Sequence, residues 1–412
     1  MVSAAHVGVN LIGYFGKGFG LGESTRLIFE ALREVNIPLC LISANDLLGD
    51  VKEESFLYPI DNEFKYSINL FSIDAGHVAP IIQKFGWNAF KNRYNIGIFF
   101  WETTQATRLN LEGWGYMDEI WTTSRYMEKI FSKITSVPVY HIPQPLESFN
   151  LTHESTKKSV NLPDRFTFLF FFSFRSVLER KNPQALIHAF QQAFPDRRDV
   201  QLVIKSKDSQ NYSKELNQLL KTIEKDSRII WLDKMMDAHE RIDLMNCCDC
   251  YVSLHRSEGF GLTLSEAMLL EKPVIATAYS GNMDFMNEEN SYLCSYQLVQ
   301  IGEGIPPYPP SGFWAQPLIH DAAHLMRRVY THTNEATTKA KKGKEFILNH
   351  HSLQRVGEEI LKRLRSIPQQ QKSKRRPWCY LRDRCDIKKD LMIKKIRKML
   401  RPVKKAYTYL RK

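Results

Sequence analysis

The sequence predicts an α/β protein built from two doubly wound halves that face each other across a cleft. Three observations carry this prediction. Apolar runs of strand length alternate with segments of helical period along most of the chain, the pattern of βαβ units and parallel sheets. The alternation breaks at Pro143–Asp164, a polar stretch with three prolines and several Ser and Thr, which is the best linker candidate. It resumes at Phe166–Phe172, apolar but for Thr167, as suits a strand buried on both faces of a parallel sheet.

Taken in order, His6–Ile12 is a strand, Gly13–Gly22 a glycine-rich loop, and Glu23–Glu34 an amphipathic helix that ends before Pro38. Leu39–Ser43, Ser67–Phe71, Tyr94–Phe100, Glu119–Thr122 and Val139–His141 follow as strands. In the second half, Phe166–Phe172, Val200–Lys205, Arg228–Leu232, Cys250–Leu254 and Val274–Ala278 are strands. Pro183–Phe194, Lys214–Glu224 and Ala238–Asn246 are helices, and Leu262–Leu270 is a helix start. Ile319–Tyr330 and Leu353–Leu364 are late helices. No repeat at solenoid spacing is present. Ligands of such sheets bind beyond the carboxyl ends of the strands, so chemistry is sought in the loops that follow them.

The chain has 412 residues, enough for two or three domains. No basic-then-apolar leader opens it, and its longest apolar run, Phe166–Phe174, is too short to span a bilayer. A cytoplasmic protein is expected. Cys247, Cys248 and Cys250 cluster without a His or Cys partner at metal-ligand spacing, so they read as core or neutral thiols, and no disulfide framework is implied. The net charge of +12 is uneven. Residues 366–412 hold 17 Lys/Arg against 3 acids, which leaves the rest of the chain near neutral.

The most informative stretch is Arg256-Ser257-Glu258-Gly259-Phe260-Gly261-Leu262-Thr263-Leu264-Ser265-Glu266-Ala267-Met268. Glu258 falls in a strand-to-helix loop and Glu266 in the first turns of the helix. Backbone N–H groups at a helix start favour an anion such as a diphosphate. Two carboxylates beside such a cradle suit a sugar nucleotide. With Lys272-Pro273-Val274-Ile275-Ala276-Thr277 and Ser280-Gly281-Asn282 after it, the stretch resembles the C-terminal signature of retaining GT-B glycosyltransferases. The resemblance is closest to the family called GT4, or glycosyltransferases group 1, whose E-x7-E motif is matched by Glu258 and Glu266. It covers roughly Val7 to Leu364. Gly20-Leu21-Gly22-Glu23, and the stretch from Gln297 to Asp321, resemble a bacterial polysaccharide subset of that family; the second of these reads as a cleft-lining loop or as a structural Pro-rich one.

The resemblance implies roles. Glu266 would accept the ribose hydroxyls, and Glu258 would meet the donor sugar. Backbone N–H groups near Gly259, Phe260, Gly261, Leu262 and Thr263 would hold the phosphates. Arg175 and Lys181, six apart after the apolar strand, match the family's Arg/Lys pair, and cations aimed at a leaving diphosphate stabilise its developing charge. Arg180 adjoins them and is easily confused with either. Gly20 and Gly22 would lie near the donor phosphate or the acceptor; a flexible turn is the alternative. Asn282 would expose a turn near the donor sugar, or simply make the turn. The family often has a histidine near Phe99-Phe100-Trp101-Glu102. Glu102 is the candidate for that polar role here, with a helix-cap or surface role as the alternative. His255 is assigned nothing. No metal-ligand pattern is present, and metal-independent chemistry without a cofactor is expected.

Residues 368–412 place Met392, Ile393, Ile396, Met399, Leu400, Val403, Tyr407 and Leu410 within about 120° of a helical wheel, with Lys and Arg over most of the rest. Pro402 should kink or split that helix. An apolar stripe flanked by cations fits an interfacial helix on anionic lipid. A partner helix or solvated extension, and electrostatic binding to nucleic acid, compete with it. Trp378, Tyr380, Tyr407 and Tyr409 favour the membrane interface, and nucleic acid is not the expected partner.

The expected organisation is an N-terminal acceptor-side domain (1–160), a nucleotide-sugar-binding domain (161–350), a helix crossing back (351–367) and the basic tail (368–412). The expected activity is transfer of a hexose, mannose-like or glucose-like, from a nucleotide sugar to a glycan or lipid-linked acceptor, with retention, at the inner face of the cell membrane. A non-catalytic sugar-nucleotide or glycan-binding protein on the same scaffold is the alternative, and a glycoside hydrolase with a carboxylate pair is a third class.

Overall fold

The computed structural model describes residues 7–16, 18–49, 56–149, 155–224 and 226–367. In the first half, β1 (Val9–Gly13), α1 (Gly20–Glu34), β2 (Leu39–Ser43), β3 (Ile68–Ser72), α2 (Val78–Phe85), β4 (Tyr94–Ile98), α3 (Arg108–Trp114), β5 (Glu119–Thr122), α4 (Arg125–Ile134) and β6 (Val139–His141) alternate. The second half runs β7 (Phe166–Phe171), α5 (Leu178–Lys181), α6 (Pro183–Ala193), β8 (Val200–Ser206), α7 (Ser213–Ile223), β9 (Ile229–Asp233), α8 (Ala238–Asn246), β10 (Cys250–Ser253), α9 (Leu262–Leu269), β11 (Val274–Thr277) and β12 (Tyr292–Cys294). A hairpin, β13 (Tyr296–Gln300) and β14 (Phe313–Pro317), precedes α10 (Ile319–Thr331), α11 (Thr333–His351) and α12 (Leu353–Ser366).

Two six-stranded sheets result, ordered β2-β1-β3-β4-β5-β6 and β12-β11-β10-β7-β8-β9. Every pairing within them is parallel. Helices cover both faces, so the central strands are apolar on both sides, as β7 and β8 illustrate. The first sheet also buries a row of asparagines. Asn10, Asn69 and Asn95 lie side by side in register on β1, β3 and β4, all buried. Asn10 Nδ2 donates to Asn69 Oδ1 (2.8 Å), and Asn69 Nδ2 to Asn95 Oδ1 (2.8 Å). Each amide has both a donor and an acceptor, and backbone groups complete the ends: Lys65 N and Tyr66 N donate to Asn10 Oδ1, and Asn95 Nδ2 donates to Phe90 O and Arg93 O, where a lone buried amide would cost stability.

Helix α12 packs on α1, far from its neighbours in sequence. Val356, Ile360 and Leu364 join Val9, Leu11, Ile28 and Leu32 in one apolar cluster. The approach requires glycine at 357, where a Cβ would come within 2.3 Å of the Ala31 carbonyl oxygen. Arg363 reaches the fully buried Glu119 carboxylate, which also accepts from Tyr94 Oη (2.9 Å) and Trp121 Nε1 (2.6 Å).

Most expected elements are present with ends shifted by up to three residues, and several are added. Helix α1 starts at Gly20, so Gly20 and Gly22 belong to its first turn and the preceding loop is shorter than Gly13–Gly22. The Pro-rich stretch after Gln297 is not all loop: Gln297–Gln300 and Phe313–Pro317 pair antiparallel. Helices α2, α3, α4, α5 and α11 and strand β12 have no counterpart in the expected order. Among the described residues no helix is long and apolar enough to cross a membrane. The basic segment 368–412 lies outside the described residues.

Candidate functional site

In the second sheet the chain steps outward through β7, β8 and β9, then returns to place β10 on the other side of β7. The loops after β7 and β10 therefore diverge, and such a switch point is where open parallel sheets bind ligands. In the first sheet β1 and β3 make the equivalent switch. The two switch points face each other, and a cavity of about 340 Å³ lies between them. Gly18, Phe19, Gly20, Leu21, Glu23, Arg26, Phe100 and Glu102 line it from the first half. Arg180, Lys181, Lys205, Lys207, Arg241, the stretch Glu258–Thr263 and Glu266 line it from the second.

The loop after β10 is shaped by close backbone packing. Gly261 has φ of 105°, a conformation natural to glycine, and from there the chain turns into α9. A Cβ at Gly281 would sit 2.1 Å from the Gly259 carbonyl oxygen. That closeness lets Gly281 N donate to Glu258 O (3.0 Å) while Glu258 N donates to Ser280 Oγ (2.8 Å). The Glu258 backbone is thus clamped on both sides. From the first half, Ser124 Oγ donates to Gly259 O (2.8 Å). Helix α9 begins with no side chain capping it, and its first residues, Leu262 and Thr263, line the cavity. An uncapped helix start favours an anion.

Glu258 is buried between two cations. Lys181 Nζ lies 2.5 Å from Oε1, and Arg180 Nη1 3.1 Å from Oε2. Burial alone would raise the Glu258 pKa, but Lys181 and Arg180 outweigh it and hold it down at about 2. Arg180 also donates to Ser257 O (2.9 Å), and its Nη2 lies 3.6 Å from Glu102 Oε1. Its guanidinium therefore bridges a carboxylate of each half. Glu102 is fixed further by Tyr308 Oη, which donates to Oε2 (3.1 Å). Its backbone carbonyl accepts from Tyr126 Oη (3.0 Å) and from Ser257 Oγ.

Glu266 differs. It too is largely buried, but its nearest cation, Arg241, is 3.9 Å away. Burial dominates and pushes its pKa up to about 7. Lys205 ends an apolar strand at the cavity wall and is 3% exposed. Its ammonium makes no hydrogen bond or ion pair among the described residues, and the Phe171 ring centre lies 6.0 Å from Nζ. Burial, with Lys207 and Arg241 nearby, pushes its pKa down to about 8. An anion entering the cavity would relieve that cost.

The structure thus brings together Glu258, Lys181, Glu102, Glu266, Gly20 and Gly259–Thr263. It does not bring Arg175 to the cavity: Arg175 Nε faces Asp208 (3.4 Å), outside the lining, and the adjacent-seeming Arg180 takes the place beside Glu258. Gly22 is buried inside α1. Asn282 is buried behind the loop, where Nδ2 donates to Thr277 O (3.0 Å) and Oδ1 meets His255 Nε2 (3.1 Å). Sequence reasoning missed Lys205, Arg241 and Tyr308. For Lys205 a signal existed, a cation near the carboxyl end of a strand whose preceding residues Leu202–Ile204 are apolar. For Tyr308 none did.

Residues 154–297 match the family model described as "Glycosyl transferases group 1". The group 1 match spans the second sheet and contains Arg180, Lys181, Lys205, Glu258 and Glu266, while Glu102 and Tyr308 fall outside it. No curated protein matches the chain. Among solved structures, HepE from Anabaena in complex with UDP-glucose is similar at 16% identity, with a TM-score of 0.63, over 88% of this chain and 100% of that one. Sucrose-phosphate synthase from Thermosynechococcus elongatus is similar at 16% identity and a TM-score of 0.60, over 87% and 98%. A glycosyltransferase from Rickettsia africae is similar at 14% identity and a TM-score of 0.57, over 87% and 98%. The architecture is the GT-B fold, and the group 1 region supplies its second half.

Proposed function

We propose that the protein is a retaining hexosyltransferase of the GT4 type. It moves a hexose, glucose-like or mannose-like, from a nucleoside-diphosphate sugar to a hydroxyl of a glycan or lipid-linked glycan, in surface polysaccharide synthesis. One observation carries this reading. Glu258, clamped by its backbone and paired with Lys181 and Arg180, shares a two-sided cavity with an uncapped helix start and with Lys205, a buried cation lacking an anion. The group 1 match over residues 154–297 supports it.

In this reading the diphosphate lies against Lys205, Lys181 and the first amides of α9, and the ribose hydroxyls donate to Glu266. Glu258 meets the hydroxyls of the transferred sugar. The bond from the sugar C1 to the phosphate oxygen breaks, and the diphosphate leaves with the electron pair. The acceptor oxygen bonds to C1 from the same face and gives its proton to the departing phosphate oxygen. Lysine and arginine side chains supply the positive charge for that departure, so no metal is required. Arg175 has no role in the cavity as built. Residues 368–412 dock the protein on anionic lipid, beside a lipid-linked acceptor.

The test is thermal unfolding with UDP, GDP and ADP and their hexose conjugates, on wild type and Glu266→Ala. HepE was solved with UDP-glucose, which makes that donor the first to try. A ligand at 100 times its Kd stabilises by about 2.7 kcal/mol. A shift with one base, lost in the variant, is the expected result. No shift with any nucleotide overturns the reading.

A further inference from the structure

The hairpin β13–β14 belongs by sequence to the second half, yet its tip is seated on the first. Ser311 Oγ donates to Gln105 Oε1 (2.6 Å), and Phe313 N to Thr104 Oγ1 (3.0 Å). Tyr308 is 6% exposed, packed edge-on against Trp101 (5.5 Å between ring centres) and Trp314 (6.2 Å). The base of the hairpin is held elsewhere, by the loop that carries Glu258. Ala315 N donates to Arg256 O (2.9 Å), and Arg256 Nε to Gln316 Oε1 (2.9 Å). One element therefore grips the carboxylate loop of the second half and the Trp101–Gln105 loop of the first.

The contact that matters chemically is Tyr308 Oη on Glu102 Oε2. It occupies one carboxylate oxygen and leaves the other, Oε1, toward Arg180 and the cavity. Without that hydrogen bond the carboxylate is free to rotate, and the shared salt link with Arg180 loses its fixed end.

We propose that Tyr308 is a positioning residue for sugar transfer. Its phenol orients Glu102 so that Oε1 accepts from a hydroxyl of the bound substrate, and it does so only while the hairpin is seated on the first half. This rests on the reading of the cavity as a sugar-transfer site. Tyr308 touches no cavity space itself and acts through Glu102.

The experiment measures release of nucleoside diphosphate from UDP-, GDP- and ADP-linked hexoses, with water as acceptor, by full-length wild type, Tyr308→Phe, Glu102→Gln and the double variant. Tyr308→Phe keeps the ring and its aromatic contacts, so in nucleotide-free buffer it should stay folded, with a melting temperature lowered only by the few degrees that one lost hydrogen bond costs. The expected result is a rate at saturating donor lowered about tenfold or more in Tyr308→Phe, with the donor KM and the thermal shift by free nucleotide unchanged. The double variant should be scarcely slower than Glu102→Gln, because the two changes remove one interaction. A Tyr308→Phe rate equal to wild type, or losses that multiply in the double variant, overturns the positioning role and leaves the site reading intact. A wild type that binds nucleotide and releases nothing from any of these donors overturns both.

Discussion

At the scale of the residue, two carboxylates in one cavity are driven in opposite directions by their surroundings. Glu258 has two cations within 3.1 Å and stays ionised down to about pH 2. Between its ordinary pKa and that value the folded chain has lost a proton the unfolded chain retains. The stability this contributes is full at neutral pH and disappears on acidification through the window. Glu266 has the opposite sign. Its pKa rises from 4.5 to about 7, so between these values the folded chain keeps a proton that the unfolded chain has lost. Its contribution therefore falls as pH rises through that window. Glu266→Gln should be more stable than wild type at pH 8 by on the order of 2 kcal/mol, with little difference at pH 4. A diol on Glu266 favours the ionised form, so ionisation of Glu266 should strengthen UDP binding to wild type as pH rises through about 7, and that part of the pH dependence should be missing from the variant. Melting curves from pH 4 to 8, with and without UDP, check both statements.

At the scale of the element, the site depends on a backbone contact that only glycine permits. Gly281→Ala puts a methyl 2.1 Å from the Gly259 carbonyl oxygen, against backbone that cannot swing away. The loop must shift, and the hydrogen bonds that clamp Glu258 lengthen with it. The expected result is a loss of about 1–3 kcal/mol of stability, with nucleotide affinity lowered in the same variant; melting curves and nucleotide titration measure the two. Much at this scale was legible in the sequence. The run Cys250–Leu254, the glycines and the apolar helix start placed β10, the loop and α9, because the periodicities of 2 and 3.6 are local. The choice between Arg175 and Arg180 was not legible. Spacing along the chain favoured Arg175, but the turn at Phe174–Ser176 aims it at Asp208, and the following short helix carries Arg180 inward. Tyr308 was hidden for the same reason. Its partner, Glu102, lies in the other half, and nothing local to Ile305–Pro310 announces the contact.

At the scale of the whole molecule, the two halves share a cavity and are cross-linked around it. Ser124 on Gly259, Lys207 Nζ on Gly18 O (2.7 Å), Arg125 N on Asp284 Oδ2 (2.7 Å) and the hairpin all join one half to the other. Doubly wound halves and their cleft could be anticipated from alternation alone, because each parallel unit needs its helices on both faces. The hairpin, which breaks that alternation, could not. The basic tail enters at this scale as well. Removing residues 368–412 leaves every described helix intact, since α12 ends at Ser366. The truncated chain should keep its melting temperature and its nucleotide binding. It should lose binding to vesicles containing phosphatidylglycerol, and for the full chain that binding should weaken as salt rises. Equal sedimentation of both chains with such vesicles would remove the membrane role of the tail.

Helix α12 also bears on how the protein is made. The strands of the first sheet leave the ribosome long before the helix that covers α1. Until Gly357 can settle against Ala31, the flank of α1 and its neighbours Ile28 and Leu32 have no cover, and Glu119 has no arginine. The second half suffers no such delay, because its strands and helices are supplied in one continuous run. Synthesis order and maturation order are therefore reversed: the part made first is finished last. Closing that distant contact is slow compared with local folding. A nascent chain thus lacks the finished flank of α1 until α12 has been translated.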